Sequence, residues 1–410
     1  MSDVLTLLKL LCQPSRAGDI DLLDEYQQAF AQTITGSNSM LALAFWRGRV
    51  ALWTILRASG LREGDEVILP AYTCDAVPVA VKFAGARCVY VDVEPFRFNP
   101  SVQQIAEKIT ERTRAIICQH TYGIAQPVQE IAALRSDRQI ILIEDCCQMV
   151  SRDSHFGGVV TTGDASFFST QWSKPFSTGL GGMAVFCNSD LHTKCRDLLA
   201  TFSKKQNRRR ARSLAAQMLL YNLTVRPKTK TLIAGIYRWA QRKNIVQGTT
   251  LPKEYGFDMP ADYPAGAVNV QAVLAMKQLR QWRQNVEHRR MLTEFYLKHL
   301  PELGVDVAPL KVGAEKPALW AIPLFVENVE QILTLAGKLG VPVASWFCPF
   351  PPAHLVGANT ERFDYKIGQC PKSDWMVARE IHLLTSPEVT VKQAGDAIKL
   401  IKQYGRMANY

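Results

Sequence analysis

The stretch over residues 140–185 constrains the fold of this chain more than any other. It opens with an apolar run, IILIED, that ends in Asp145, as expected of a buried parallel strand with a functional group at its carboxyl end. Further along, Lys174 stands between Ser173 and Pro175, ahead of a glycine-rich turn and a second apolar run. Ligands in open α/β sheets bind beyond the carboxyl ends of the strands, so we expect Asp145 and Lys174 to share one site.

A carboxylate at a strand end and a lysine in a glycine- and serine-rich loop are the two groups that pyridoxal phosphate (PLP) requires. The lysine forms a Schiff base with the cofactor, and the acid pairs with the pyridine nitrogen. Each residue alone has a commoner explanation, because a loop lysine is usually a solvated surface group and an aspartate after a strand is often a helix cap. The order of the residues along the whole stretch favours the cofactor site.

Three short motifs follow one another here: Ile143-Glu144-Asp145 with Gln148, Gly163-Asp164 with Phe168-Ser169, and Lys174. In this order they resemble the DegT/StrS-type PLP-dependent aminotransferases, a family of sugar aminotransferases. The resemblance continues in GDEVILPAYT (64–73), VDV (91–93), TRAII (113–117) and His120 with Tyr122-Gly123. It implies an α/β fold of fold-type I, in which helices sandwich a mostly parallel sheet, with a smaller C-terminal α+β domain.

The resemblance also assigns roles to residues of the predicted site. Lys174 is expected to bind the cofactor covalently and then to act as general base and acid. Asp145 is expected to stay ionised beside the pyridine nitrogen, Gln148 to bind the ring hydroxyl and Ser169 to bind the phosphate. The implied cofactor is pyridoxal 5'-phosphate, with pyridoxamine phosphate as its intermediate form, and no metal is expected.

The sequence departs from the family pattern at two points of this site. The family's first strand-to-helix turn reads Ser-Gly-Thr and binds the cofactor phosphate, whereas this chain keeps Gly48 and flanks it with arginines. A helix N-terminus offers N–H groups to an anion, and Arg49 either adds a charged contact or is a surface cation. Many members place an aromatic ring on the pyridine where this chain has Cys74, so either Cys74 contacts the ring face or Tyr72 replaces the ring.

A third departure lies ahead of Gln271. The family has an N-Y-R pattern there, and this chain has Pro-Ala-Gly at 264–266. In the family, that asparagine reaches the phosphate of the neighbouring subunit's cofactor. Its absence, together with Arg49, predicts a phosphate site that is built within one subunit.

Two further features bear on the substrate. The segment CPFPPAH, which ends at His354, resembles the family's P-x-P-L-H substrate-side loop, so His354 and Trp346 are candidate substrate contacts. Tyr72 is a third candidate substrate contact. His120 follows a predicted strand and is either a site residue or a structural histidine. The resemblance implies an amino acid donor, by family habit glutamate, a keto-sugar acceptor that is most often nucleotide-linked, and a homodimer with the site at the subunit interface.

Composition is consistent with a two-domain cytoplasmic enzyme. The 410 residues, 47% of them hydrophobic, suffice for a large core. We predict an N-terminal segment and large PLP-binding domain over residues 1–260, with a basic insertion at about 200–250, and a linking helix and small domain over 261–410. The ten cysteines have no framework spacing, which favours reduced thiols in a cytoplasm. The only N-terminal apolar run, residues 4–12, is too short for a membrane span.

The basic insertion admits three interpretations. Twelve lysine and arginine residues and no acidic residue lie in residues 204–243, which accounts for the whole net charge of +11. The insertion is a helical segment docked on its own fold or on a partner subunit, an interfacial helix pair on anionic membrane, or, least favoured for want of a motif, a nucleic-acid-binding element.

Two alternatives to a sugar aminotransferase stay open. One is a PLP enzyme of the same fold that acts on a non-sugar or lipid-linked carbonyl compound at the inner face of the membrane. The other is a non-catalytic relative that uses the fold for binding, against which the intact Lys174, Asp145 and Gln148 argue.

Overall fold

The computed structural model describes residues 20–94, 97–136, 138–150, 160–202, 208–224, 258–311, 316–345 and 360–408. The strands of the first sheet are β1 (Leu41–Phe45), β2 (Glu66–Pro70), β3 (Arg87–Val91), β4 (Thr113–Gln119), β5 (Ile141–Asp145), β6 (Ala165–Ser169) and β7 (Gly182–Phe186). The helices in this part are α1 (Ile20–Thr35), α2 (Gly48–Ala58), α3 (Ala76–Phe83), α4 (Val102–Ala106), α5 (Val128–Ala133), α6 (Ser189–Phe202) and α7 (Arg208–Thr224). Strands and helices alternate along β1 to β5, as the sequence predicts.

The seven strands form one sheet in the order β1-β7-β6-β5-β4-β2-β3. All neighbours pair in parallel except at β7, which is antiparallel to both β1 and β6. The predicted mostly parallel α/β sheet is therefore confirmed. Both faces of the sheet are covered: along β4, Ile116 and Cys118 pack into one core and Ala115 and Ile117 into the other, as the two-residue alternation of a strand requires.

The register of the central strands places the functional edge of the sheet. Gln119 at the end of β4 lies beside Asp145 at the end of β5, and Asp145 lies beside Phe167 of β6. The carboxyl ends of three parallel strands thus meet at one edge. Side chains that follow these strands are brought together there, although they are far apart in sequence.

The C-terminal part of the chain carries a second, smaller sheet. Its elements are α8 (Asn269–Arg280), α9 (Trp282–His299), β8 (Ala321–Phe325), α10 (Val329–Leu339), β9 (Val343–Ala344), α11 (Pro371–Arg379), β10 (Glu380–Leu384) and α12 (Val391–Tyr404). The three strands are antiparallel in the order β8-β10-β9. The predicted linking helix is two helices, α8 and α9, because Gln281 between them leaves helical geometry (φ −99, ψ 2). A domain boundary near residue 260 stays a prediction.

Helix α7 is the described part of the basic insertion. Its buried face consists of Ala211, Leu214, Ala215 and Met218, which pack with Trp46, Leu180, Val268, Val270 and Leu274. The chain's own fold therefore covers the apolar face of this helix, as the docked interpretation requires. Residues 203–207 and 225–250 of the insertion lie outside the described residues. Among the helices described, none is both long and apolar enough to cross a bilayer.

Candidate active site

A cleft with an empty volume of about 700 Å³ opens where β4, β5 and β6 end. Seven of the residues predicted from the sequence line it: Gly48, Arg49, Cys74, Asp145, Gln148, Ser169 and Lys174. These residues come from the ends of strands and the loops beyond them, together with the N-terminus of α2. The fold therefore gathers into one cavity the groups that the motifs place far apart in sequence.

Asp145 is the acid of this cleft. Its side chain is 5% exposed, and its Oδ1 accepts the N–H of Cys147 at 2.9 Å. Burial raises the pKa of Asp145 above its usual value, while the Cys147 N–H and the charge of Lys174 act in the opposite direction. A cationic partner stabilises the ionised form of a buried carboxylate of this kind, and a protonated pyridine nitrogen is such a partner.

Lys174 lies in the turn that connects β6 and β7. The base of this turn is closed by the Thr170 N–H, which donates to the Gly181 carbonyl at 2.9 Å, and the Lys174 N–H donates to the Gln171 carbonyl at 3.0 Å. The side chain is 7% exposed, and its Nζ lies 5.6 Å from the ring centre of Trp320. An amine that is held in a cleft instead of extending into water is placed to react there.

The N-terminus of α2 forms an anion-binding corner of the cleft. This helix has eleven residues, its N-cap residue Arg47 makes no side-chain capping bond, and its first turn contains no acid. Arg47, Gly48, Arg49 and Ser169 all line the cavity. Backbone N–H groups, two guanidinium groups and a hydroxyl are the donors that bind a phosphate.

Gly48 is required by the close approach of α2 to the sheet. A Cβ atom on Gly48 would lie 2.9 Å from Cβ of Ser169 and 3.0 Å from the Phe168 carbonyl oxygen. A Cβ atom on Gly182 of β7 would lie 2.4 Å from the backbone of Arg47. The two glycines let the first turn of α2 rest directly on β6 and β7, which brings its N–H groups to the cleft.

Gln148 has one end of its amide engaged by the fold. Its Oε1 accepts the N–H of Tyr122 at 2.6 Å. The group that Gln148 offers to a ligand is therefore its NH₂, a donor only. This orientation suits the predicted contact with the oxygen of the cofactor's ring hydroxyl.

Cys74 and Tyr72 were the alternative contacts to the ring face. Cys74 lines the cleft, and burial raises the pKa of its thiol to about 12, so it presents neutral sulfur. Tyr72 does not line the cleft: it is fully buried, and its hydroxyl is 2.8 Å from that of Tyr122 in a core network. The structure therefore contradicts the alternative in which Tyr72 replaces the family's ring, because Tyr72 does not border the cleft. Strand β2 ends at Pro70, so strand alternation does not predict the direction of Tyr72.

His120 borders the cleft, and both of its ring nitrogens are engaged. Nδ1 accepts the Gln126 N–H at 3.1 Å, so the proton lies on Nε2, which is 3.1 Å from a Glu144 oxygen. Glu144 also accepts backbone N–H groups from Val160 and Gly163. The structure thus favours the structural interpretation of His120. His120, Glu144 and Cys146 are the one group of potential metal ligands among the described residues. The hydrogen bonds above already engage two of them, His120 and Glu144.

The candidate substrate contacts His354 and Trp346 lie outside the described residues, as does the whole segment that resembles the substrate-side loop.

Other residues reach the cleft without having been predicted. Gln119, Gln171 and Phe167 line it, and Trp320 faces Lys174. Gln119 ends β4, so the rule for strand ends would have found it, whereas Trp320 precedes a strand of the other sheet and gives no local signal.

The donor set of the cleft fits PLP. An acid for the ring nitrogen, a lysine for the aldehyde and a cationic, N–H-rich corner for the phosphate all border one cavity. The three groups together indicate PLP more specifically than any one of them alone, because each would bind a different part of the same cofactor.

Comparison with known proteins decides the family. A model of the DegT/DnrJ/EryC1/StrS aminotransferase family matches residues 17–226 and 264–402. The chain belongs to this family. The prediction of a PLP-dependent aminotransferase is thereby confirmed. The 37 residues between the two matched parts, 227–263, include the second half of the basic insertion.

Two relatives illustrate the range of the DegT/DnrJ/EryC1/StrS family. A GDP-perosamine synthase from Escherichia coli O157:H7 is 37% identical over 373 residues, which is 90% of this chain and 87% of the relative. A UDP-N-acetyl-3-dehydro-alpha-D-glucosamine 3-aminotransferase from Acidithiobacillus ferrooxidans is 38% identical over 37% of this chain and 41% of its own length.

Solved structures confirm the fold. DesV from S. venezuelae, solved with a ketimine intermediate, has a TM-score of 0.70 at 18% identity and covers 99% of this chain and 95% of its own. NtdA from Bacillus subtilis, solved with the cofactor pyridoxamine phosphate, has a TM-score of 0.70 at 20% identity, with 98% and 82% covered. The predicted fold-type I architecture is therefore confirmed.

Proposed function

We propose that this enzyme moves the amino group of an amino acid, with glutamate as the expected donor, to the carbonyl carbon of a nucleotide-linked keto-sugar. The observation that carries the proposal is the placement of Lys174 and Asp145 in one buried cleft beside an anion-binding helix N-terminus. The 37% identical GDP-perosamine synthase, which matches 90% of the chain, supports a nucleotide-linked sugar as acceptor. The product would serve surface-polysaccharide or natural-product biosynthesis.

Each residue of the cleft has a defined part in this proposal. Bound PLP supplies an aldehyde that carries the amino group between donor and acceptor, and a ring that withdraws electrons from the reacting carbon. Lys174 would hold the cofactor and then, at its Nζ, take a proton from one of the two carbons that flank the transferred nitrogen and deliver it to the other. Asp145 keeps a proton on the ring nitrogen by placing a negative charge beside it, and Gln148 orients the ring by donating to its hydroxyl oxygen.

The phosphate site is proposed to lie within one subunit. Gly48, Arg49 and Ser169 supply its donors. The segment that replaces the family's N-Y-R pattern packs against the same corner, since the Trp46 N–H donates to the Ala265 carbonyl at 3.0 Å. This segment thus offers no asparagine amide to a phosphate, and Arg49 would supply the missing contact.

A two-stage measurement tests the reaction. The purified protein with PLP is first mixed with glutamate, and the loss of the cofactor's aldehyde absorbance is followed. The amino form is then offered GDP-, UDP- and dTDP-linked keto-sugars, and an amino-sugar product is sought by mass spectrometry. We expect glutamate to convert the cofactor and one keto-sugar to restore it. A protein that converts no amino acid at all, although it holds PLP, would overturn the proposal.

We further propose a cytoplasmic homodimer with the cleft at the subunit interface, as the family resemblance implies. Light scattering coupled to size exclusion tests the assembly state. A mass of one chain, 45.9 kDa, at working concentration would contradict the dimer.

A lipid-linked acceptor at the membrane surface is the second candidate. It is favoured by the exposed end of α7, where Leu220, Tyr221 and Leu223 are 59%, 46% and 54% exposed ahead of the rest of the basic insertion. It is disfavoured by the docked face of the same helix. Flotation with anionic liposomes at low and high salt discriminates between the two, since binding through the basic residues requires co-flotation at low salt.

A further inference from the structure

The two peptide carbonyls that flank Lys174 are both held by side chains from the C-terminal part of the chain. The indole N–H of Trp320 donates to the Ser173 carbonyl at 2.8 Å. The amide NH₂ of Asn285 donates to the Pro175 carbonyl at 3.1 Å. The lysine backbone is thus fixed on both sides by groups that belong to neither strand of its own hairpin.

A single buried arginine joins these two donors. Nε of Arg289 donates to Oδ1 of Asn285 at 2.9 Å, and its Nη1 donates to the Trp320 carbonyl at 3.1 Å. Arg289 is 3% exposed, and burial lowers its pKa to about 10, so it stays charged at neutral pH. The amide of Asn285 consequently cannot rotate without losing one of two bonds.

The orientation of Trp320 is also fixed from behind. Its backbone N–H donates to the Tyr122 carbonyl at 2.8 Å. Its ring stacks on Tyr122, with centroids 6.0 Å apart and an interplanar angle of 21°, and lies 5.3 Å from the ring of His382. A side chain held at its backbone, ring face and N–H is pre-organised and does not adapt to the lysine.

We infer that Asn285, Arg289 and Trp320 form a clamp that positions Lys174 for the reaction. The clamp residues are positioning residues: Trp320 and Asn285 hold the backbone of the lysine, and the indole face receives its ammonium group 5.6 Å away whenever the amine is free of the cofactor. The inference deepens the proposed function and rests on the role of Lys174 in it.

The clamp also has a consequence for how the two sheets cooperate. Lys174 belongs to a loop of the seven-stranded sheet, whereas Asn285 and Arg289 lie on α9 and Trp320 directly precedes β8. The reactive amine is therefore oriented by the smaller, C-terminal unit.

The variants Trp320→Phe, Asn285→Ala and their combination test the clamp. Trp320→Phe keeps an aromatic ring at this position but removes the N–H together with part of the indole volume, and Asn285→Ala removes the second donor. Trp375→Phe is the matched control, because Trp375 also lies in the C-terminal part and also carries a cation over its ring, Arg379 at 5.0 Å, but packs on Phe325 of β8, with ring centroids 5.4 Å apart.

Three measurements are made on each cofactor-free protein and its reconstituted form. They are the rate at which PLP becomes borohydride-trapped on Lys174, the circular dichroism of the bound cofactor, and kcat and KM for glutamate conversion. We expect each single variant to slow trapping about fivefold, the factor that one hydrogen bond gives, and to lower kcat with little change in KM. The double variant should lose less than the product of the single effects, since the donors act through one arginine.

Trapping and cofactor dichroism that match wild type in both single variants would overturn the clamp, as would an equal loss in Trp375→Phe. A fall in the urea midpoint with unchanged trapping would assign these residues to stability alone and would likewise overturn it. Failure of the wild-type protein to trap PLP at all would instead refute the proposed function, so the two failures are distinguishable.

Discussion

Asp145 and Lys174 are 5% and 7% exposed, so the fold removes both ionisable side chains from water. Such burial is unfavourable for a charged group unless a partner compensates for the lost hydration. The two side chains that bear this desolvation cost face the same cleft. We interpret the cleft as organised for a ligand that is cationic where it meets Asp145 and carbonyl-bearing where it meets Lys174.

Replacing the acid should separate stability from function. Burial raises the folded-state pKa of Asp145, so in the cofactor-free protein stability is highest below the unfolded pKa and is lost as pH rises through the folded pKa. Asp145→Asn removes that loss and keeps the acceptor for the Cys147 N–H. We expect a higher melting temperature than wild type at neutral pH, a gain that shrinks under acid, and no amino transfer.

Thermal unfolding by circular dichroism over a pH series measures this prediction. Wild type and Asp145→Asn share every other titrating group, so their difference isolates the one carboxyl. A gain in melting temperature that is the same at acidic and neutral pH would show that the carboxylate carries no penalty in the fold.

Arg49 should contribute to cofactor affinity through the phosphate. A charge-assisted hydrogen bond contributes about 1.5–3 kcal/mol, so Arg49→Ala should weaken PLP binding by roughly 10- to 10²-fold. Arg57→Ala is the control, because Arg57 lies in the last turn of the same helix and is exposed. Fluorescence titration of the cofactor-free protein gives both affinities, and an Arg49→Ala protein with wild-type affinity would contradict the one-subunit phosphate site.

At the scale of elements, the contact between α2 and the end of β6 determines whether the helix N-terminus reaches the cleft. Gly48→Ala would place a Cβ atom 2.9 Å from Ser169, which must push the helix away from the strand. We expect a loss of about 1–3 kcal/mol in unfolding free energy and weaker PLP binding, because the N–H groups move with the helix.

Gly337→Ala is the matched control for this prediction. Gly337 lies in helix α10 with no atom within 4 Å of its added Cβ. There alanine should stabilise the protein by roughly 0.5–1 kcal/mol and leave cofactor affinity unchanged. Urea unfolding and cofactor titration of both variants are the measurements, and a Gly48→Ala protein that behaves like Gly337→Ala would show that the close approach is dispensable.

The elements themselves were largely predictable from sequence, because apolar runs and turn residues are local signals. Strand β5 ends at Asp145 as expected, and Lys174 lies in a turn ahead of a second apolar strand, β7. The residues at strand ends were predictable for the same reason. Trp320 and Asn285 were not, since their bonds to the lysine loop span 147 and 110 residues and follow from packing between two sheets.

At the scale of the whole molecule, a buried polar network joins the two sheets behind the cleft. The Tyr122 hydroxyl donates to Glu380 of β10 at 2.9 Å. It is also 2.8 Å from the hydroxyl of Tyr72, which follows strand β2 of the large sheet. Glu380 also contacts His382 and accepts the Ser345 hydroxyl at 2.9 Å. The network thereby ties the large sheet to the strands that precede and follow the segment resembling the substrate-side loop.

Removal of one hydroxyl from this network should destabilise the whole protein. Tyr122→Phe leaves two buried polar partners short of a bond, which costs about 1–3 kcal/mol. Tyr404→Phe, in a residue that is 39% exposed, should change the unfolding free energy by less than about 0.5 kcal/mol. Urea unfolding compares the two, and equal losses would mean that the network does not hold the sheets together.

The covalent attachment of PLP at Lys174 tests the central claim most directly. Purified protein is incubated with PLP, reduced with borohydride, digested and analysed by mass spectrometry, with Lys174→Ala as the control. We predict a visible absorbance band before reduction and a pyridoxyl group on the peptide that contains Lys174, and neither in the variant. A protein that stays colourless, or one that carries the group on other lysines and not on Lys174, would contradict the account.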